Sequence, residues 1–423
     1  MGALLLVLVA GSAHAGIPIK VVDTEIALPS PPDIAFSSSD ENIIAYRHPG
    51  QNVLKLAYVT CNSIVYETLY DEGTPGFLPS LAISTLGFPS VVHRTTSDGF
   101  GSDGLRYTLD GGGLLGLQTI AIPGAEDGQM AVYAMDTVDR PYVAFKQANN
   151  RPGFAHFDIQ SGQWVVQTLS TSTLGAAGRY IAVEVNHQDQ PVVAYYDSNE
   201  DVVIATLGSG GWTTRRHAVG SLPDSGNLSL VLDSVDAPYV AICSSTELAV
   251  LRFNLLNVTA QTVVTESNTR LAPHAMGIDS ANRLRIAFYQ MNDHSLYLAS
   301  NDFGWTTTLI QSGLTYDPAA SLAIDSQSRW SVAYYDKTAQ QIRVAGLDVA
   351  PSVRADFDCD GDVDADDLTH LESCTTGPAI TQFTAACLNA DLDDDNDIDM
   401  SDFAIFQLCL SGSGVPADPS CAE

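Results

Sequence analysis

Twelve aspartates near the C-terminus stand at spacings that suit a hard cation. Asp356, Asp358, Asp360, Asp362, Asp364 and Asp367 fall within one twelve-residue stretch, and Asp391, Asp393, Asp395, Asp397, Asp399 and Asp402 repeat the pattern thirty-five residues later. Oxygen donors occupy positions 1, 3, 5 and 12 of each stretch, an aspartate takes position 9, and an aliphatic residue, Val363 or Ile398, takes position 8. Ca²⁺ gathers about six to eight oxygens at roughly 2.3–2.6 Å, and a loop of this spacing supplies them with a backbone carbonyl at position 7. Position 6 is Gly361 in the first loop and Asn396 in the second. Asn tolerates the left-handed backbone that Gly otherwise provides. The expected metal ligands are these twelve aspartates, and the expected cofactor is Ca²⁺ at two sites.

Each loop runs directly into a predicted helix. Leu368, Leu371 and Cys374 recur at helical spacing and stop at Gly377-Pro378; Phe403, Phe406 and Leu410 do the same and stop before Gly412. Ile380, Phe383 and Cys387 suit a helix between them. Cys374 and Cys409 share one offset in the two loop–helix units, and each is followed by a further cysteine, Cys387 and Cys421. Duplication therefore suggests the disulfides Cys374–Cys387 and Cys409–Cys421 with Cys359 free; Cys359–Cys409 is the rival pairing.

A duplicated loop–helix with Asp at position 12, where the EF-hand pattern has Glu, and with no incoming helix before the first loop, resembles the type I dockerin module. The resemblance covers residues 356–410. It implies a small all-α domain that folds on Ca²⁺ and binds a cohesin module, often in a polysaccharide-degrading assembly. Positions 10 and 11, which help choose the partner in that family and are commonly Ser-Thr, are here Ala365-Asp366 and Met400-Ser401.

The rest of the chain has a different character. Of 50 acidic residues in 423, seventeen lie in the last seventy positions beside a single arginine. With a net charge of −31, nucleic acid and anionic membranes are poor partners, since both are polyanions. No apolar stretch reaches the ~20 residues needed to span a bilayer. An apolar run from Leu4 to Ala10, then Ala13-His14-Ala15, reads as a secretory signal peptide over residues 1–15. Five of the seven cysteines crowd into the last 65 residues, which suits an oxidising compartment. The expected localisation is extracellular.

Between these ends the sequence repeats. Pro191-Val-Val-Ala-Tyr-Tyr-Asp197 reappears as Ser331-Val-Ala-Tyr-Tyr-Asp336, and weaker copies occur at Arg285-Ile-Ala-Phe-Tyr289 and Pro141-Tyr-Val-Ala-Phe145. The copies anchor on Ala45, Val92, Ala144, Ala194, Ala241, Ala287 and Ala333, at spacings of 47, 52, 50, 47, 46 and 46. Seven units of four short strands, each bounded by turn residues, predict a seven-bladed β-propeller over residues 16–347. The seventh unit lacks its fourth strand after Gln341-Ile-Arg-Val-Ala345, while residues 17–26 form a strand without partners. Supplying that strand to blade seven closes the ring and removes an exposed edge. The fold expected is mainly β, with a linker at 348–355, the dockerin-like domain at 356–412 and a tail at 413–423. The repeat is similar to those of secreted bacterial propeller proteins.

Residues on the propeller offer weaker chemical signals. No nucleophile elbow, phosphate loop or dinucleotide fingerprint occurs. Ser300-Asn-Asp302-Phe-Gly304-Trp305 resembles part of the sialidase Asp-box, which forms an outer hairpin and not a catalytic group. The paired tyrosines before Asp197 and Asp336 face opposite sides of their strands, which favours packing over ligand contact. Asp233, Asp279 and Asp325 end successive first strands, a turn role. The scattered histidines occupy non-equivalent positions, and Cys61 and Cys243 read as buried free thiols. The expected function is a non-catalytic binding propeller, monomeric, attached through Ca²⁺ to a cohesin-type partner, with a carbohydrate as a candidate ligand. The alternatives are a glycoside hydrolase on the propeller and a structural surface protein with a stabilising Ca²⁺ module.

Overall fold

Each repeat folds into a four-stranded antiparallel sheet, and seven such sheets form the ring. The structure is a computed structural model. It describes residues 17–421 apart from 27–30, 39, 61–63, 71–73, 97–103, 110–117, 121–128, 148, 171–172, 175–180, 220–227, 244–246, 266–268, 272–273, 316, 347–352, 358–360, 383–384 and 419. The expected signal peptide, Cys61, Asp358, Cys359, Asp360 and Phe383 therefore lie outside the described residues.

Blade four illustrates the unit. Its strands run Ile181–Val185, Pro191–Tyr196, Asp201–Gly208 and Gly211–Ala218, from the channel outward. The second strand is buried along its whole length, as a continuous apolar run predicts, because neighbouring blades cover both its faces. The outer strand alternates toward solvent. All seven anchor residues sit in second strands and are at most 1% exposed. Blade six departs from the pattern. Its inner strand is split into Thr269–Arg270 and Met276–Ile278, both paired with Leu284–Gln290.

The strand Ile19–Asp23 completes blade seven. It pairs antiparallel with Gln341–Gly346, in the register Ile19 to Ala345 and Asp23 to Ile342. Val22 and Ile26 are buried in one cluster with Tyr46, Ile342 and Val344. Tyr335 donates its hydroxyl to the Ile26 carbonyl at 2.6 Å, and Tyr46 donates to Asp23 at 2.6 Å.

The turns after the inner strands carry a second closure device. In blades three, five, six and seven an aspartate ends the inner strand, and its Oδ1 accepts the N–H groups two and four residues on; Asn186 does this in blade four. Asp233, Asp279 and Asp325 thus take the turn role their spacing suggested. The turn forces its fourth residue into the left-handed region, as at Asp139, Asp189, Asp236 and Asn282. That residue's side chain then reaches the preceding blade. Asp139 takes the N–H and hydroxyl of Thr85, Asp189 those of Thr137, and Asp236 the N–H and ring of His187. Asp40 of blade one holds Ser326 of blade seven in the same way, so the clasp spans the closure.

The C-terminal unit packs two helices, α1 (Ala365–Cys374) and α2 (Met400–Cys409), around Val363, Leu371, Ile398 and Phe406. The disulfides are Cys374–Cys387 and Cys409–Cys421, as the duplication suggested. Three details differ from expectation. The intervening segment is a short 3₁₀ helix, Ala385–Ala390, and Ile380 is 57% exposed, because Gly377-Pro378 turns the chain before a helix can begin. Val353 and Ala355 of the expected linker are buried in this core. Ala417 and Cys421 of the expected tail also pack against it, drawn in by the second disulfide.

Candidate metal centre

The two Asp-rich loops share one backbone construction. Position 6 is left-handed in both, with φ +94° at Gly361 and +75° at Asn396. That twist turns its N–H onto the position 1 carboxylate: Gly361 donates to Asp356, and Asn396 donates to Asp391 at 2.8 Å. The position 12 aspartates are fully buried and accept on both oxygens. Asp367 takes the N–H groups of Phe357 and Asp364, and Asp402 takes those of Leu392 and Asp399. Asp364 and Asp399 at position 9 in turn cap α1 and α2, so each loop end is a capping box.

Three carboxylate groups converge within this frame. Ligand oxygens of Asp362, Asp364 and Asp367 lie within 4.8 Å of one another, as do those of Asp391, Asp393 and Asp395, and those of Asp397, Asp399 and Asp402. Ten of the twelve expected ligands are thus described, and all but Asp356 fall in these groups. Burial, then the neighbouring Asp402 and Asp395, push the Asp393 carboxyl above the ordinary carboxylate range. Arg354 pairs with Asp394 at 2.9 Å and holds that carboxyl below the usual range. Asp397 Oδ1 is buried with no hydrogen bond among the described residues. An all-oxygen donor set with a buried orphan oxygen fits a hard divalent cation.

The position 7 aspartates also join the halves. Asp362 accepts from the Gly414 N–H and Asp397 from the Ala379 N–H, each in the segment after the other half's helix. The position 8 residues extend the same cross-link. The Val363 carbonyl takes the N–H groups of Ser411 and Gly412, and that of Ile398 takes those of Thr376 and Gly377. The loops are therefore braced by backbone bonds running between the two halves.

On the propeller, the tyrosine pairs Tyr195–Tyr196 and Tyr334–Tyr335 are at most 3% exposed and belong to the packing between blades. The Cys243 thiol is free and buried, which pushes it well up. His274 Nε2 lies 3.1 Å from Ser80 Oγ and 3.7 Å from Asp33. Both partners meet one nitrogen, whereas a nucleophile relay needs its carboxylate on the other. His93 is fully buried, which pushes its imidazole down to about 3. A cavity of about 490 Å³ opens at the channel among blades three to seven, with Glu184, Asp136, Asp236 and His187 among its lining residues. Glu184 was not singled out from the sequence; it stands out only by the pairing register that sets it beside small or apolar residues of the other blades.

No protein-family model matches the chain, and no curated protein matches it. Solved structures do match the propeller. The lectin BP39L from Burkholderia pseudomallei is 13% identical, with a TM-score of 0.51 over 78% of this chain and 97% of that one. The six-bladed fucose-recognising lectin of Aleuria aurantia is 12% identical, with a TM-score of 0.48 over 70% and 99%. AofleA from Arthrobotrys oligospora is 10% identical, with a TM-score of 0.47 over 67% and 88%. At these identities the likeness is one of fold. Among the described residues no helix is long and apolar enough to cross a membrane.

Proposed function

We propose that the chain is a secreted, non-catalytic binding propeller carried by a Ca²⁺-dependent, dockerin-like C-terminal unit. The observation that carries this reading is the duplicated loop: a left-handed position 6 and a buried position 12 occur twice in the same frame, and the carboxylates of positions 1, 3 and 5 converge in the second loop. In the first site Asp356, Asp358, Asp360, the Asp362 carbonyl and Asp367 hold the ion. In the second Asp391, Asp393, Asp395, the Asp397 carbonyl and Asp402 do so. The ion supplies positive charge that turns carboxylate repulsion into coordination, and the chain's own N–H network orients the position 1 and position 12 groups for it.

The partner is a cohesin-type protein module. Met400, Ala404 and Leu408 lie four residues apart on α2 and are exposed, Met400 by 72% and Leu408 by 71%. Their counterparts on α1, Ala365, Thr369 and Ser373, present no large apolar group. This difference supports docking through the second half. For the propeller, the fold shared with a lectin supports a carbohydrate ligand as an analogy of fold. Hydrolysis needs two working carboxyl groups. At the channel cavity, among the described residues, Asp136 is engaged by Arg140 and Asp236 by His187, which leaves Glu184 as the unengaged carboxyl there and favours binding over catalysis at that cavity.

Titration of the full chain with CaCl₂ by calorimetry should give two ions per chain. Asp367→Ala and Asp402→Ala should each remove one. A wild-type stoichiometry below two would overturn the reading of at least one loop. Leu408→Asp should abolish capture by cohesin modules with the Ca²⁺ stoichiometry unchanged; unchanged capture would move docking off α2.

A further inference from the structure

The inner strands of the seven blades can be aligned by their pairing with the second strands. Two residues before each anchor, the inner-strand partners are Ala35, Ala82, Ala134, Val231, Gly277 and Ala323 in six blades. In blade four the partner, opposite Val192, is Glu184. Six small or apolar residues and one glutamate occupy a single ring.

Glu184 lines the cavity of about 490 Å³ at the channel mouth. Its apolar walls are aliphatic or thioether, among them Met135, Val185, Val231, Leu232, Met276 and Ile278, and its two uncharged polar residues are engaged elsewhere: Thr137 donates to Asp189 and Asn186 to Gln190. Among the described residues no Phe, Tyr or Trp ring lines it. Among the described residues no hydrogen bond or ion pair reaches the Glu184 carboxyl. The other titratable groups at the cavity are already paired. Asp136 is held by Arg140 at 2.5 Å and by two N–H groups, and Asp236 and His187 hold each other at 2.6 Å.

We propose that the channel takes a primary alkylammonium group, with its nitrogen on Glu184 and its alkyl chain against the aliphatic walls. A single available carboxyl is too few for a divalent metal, which needs several oxygens. A sugar would need more unengaged polar partners and a Phe, Tyr or Trp face to stack on. An isolated carboxyl in apolar surroundings is completed by one cation with an apolar body. Burial pushes the Glu184 carboxyl up to about 8, so at neutral pH ligand binding expels a proton. The inference is independent of the carbohydrate and Ca²⁺ readings.

The test is calorimetric titration of the full chain with n-pentylamine at pH 6, 7 and 8. Saturable binding that tightens about ninefold from pH 6 to 7 and about fivefold from pH 7 to 8, with proton release at pH 7, is expected. Glu184→Gln should weaken binding at least tenfold and remove the pH dependence. Glu184→Ala places in blade four the residue that four other blades carry at this position, so its fold is retained, and it should behave as Glu184→Gln does. 1-Pentanol should not bind. Nα-acetyl-lysine methylamide beside pentylamine tells a lysine side chain from a free amine. Absence of saturable binding by the wild type, equal binding by either variant, or equal binding of 1-pentanol would overturn the proposal.

Discussion

Removing residues 16–26 opens the propeller ring. This segment contributes the strand Ile19–Asp23, the outer edge of blade seven, and two buried side chains, Val22 at 1% and Ile26 at 0% exposure. Burying an aliphatic side chain is worth about 1.5–3 kcal/mol, so the pair contributes roughly 3–6 kcal/mol. The hydroxyls of Tyr335 and Tyr46 lose their partners on this strand but gain water, a small net change. A shift of about 5 kcal/mol, at about 2 °C per kcal/mol for a domain of this size, lowers the midpoint by roughly 10 °C. The uncovered edge of Gln341–Gly346 also offers unpaired N–H and carbonyl groups to other chains, so the shortened protein should self-associate. Thermal unfolding followed by circular dichroism, beside size-exclusion chromatography, reads both effects. A midpoint within about 2 °C of the full chain, with no association, would refute the closure argument. Val22→Asp, which keeps the backbone pairing but buries a charge beside Tyr46 and Val344, should shift the midpoint in the same direction.

Further expectations concern single groups. Chelation of Ca²⁺ should abolish the unfolding transition of residues 353–421 and leave the propeller transition in place, as scanning calorimetry would record. Replacing Cys374 and Cys387 together by Ser should destabilise that unit by about 3 kcal/mol, read from its denaturation midpoint. Asp236→Ala removes the clasp onto His187 and puts Ala at φ +63°, costing about 1–2 kcal/mol. Burial opposes ionisation of Asp236, but the N–H and ring of His187 outweigh it and hold the carboxyl below its ordinary value. A depressed carboxyl contributes stability above its unfolded value and loses it as pH falls through the folded one. The difference between wild type and Asp236→Ala should therefore shrink below about pH 4. Glu184 has the opposite sign. Its raised carboxyl favours the folded state at low pH, and that advantage is lost as pH rises from about 4.5 toward 8. Glu184→Ala should flatten this part of the stability–pH curve, and a curve identical to wild type would show that the carboxyl is solvated.

What could be read from the chain follows how local each cause is. Blade number came from a repeated apolar strand, since a buried second strand needs only its own Val, Ala and Tyr residues to be recognised. Ring closure was legible for the same reason: blade seven lacked a strand and the N-terminus had one to spare. The duplicated Asp-rich loops were legible because the aspartates of each lie within twelve consecutive residues. The clasps between blades were not. Asp136 with Asp139, Asn186 with Asp189 and Asp233 with Asp236 repeat an interval of three, so one half of the device is printed in each repeat. Its acceptor role depends on a turn that makes the second residue left-handed and aims it at the preceding blade, 49 to 54 residues earlier. The split inner strand of blade six likewise has no local marker. Glu184 is the clearest case. Within its own strand, Ile181-Ala-Val-Glu-Val185, a glutamate reads as the polar member of an alternating strand, ordinarily turned to solvent. An inner propeller strand has no such solvent face; its free side is the channel. The anomaly exists only relative to the six residues that share its ring, and that ring is defined by pairing register across the whole propeller.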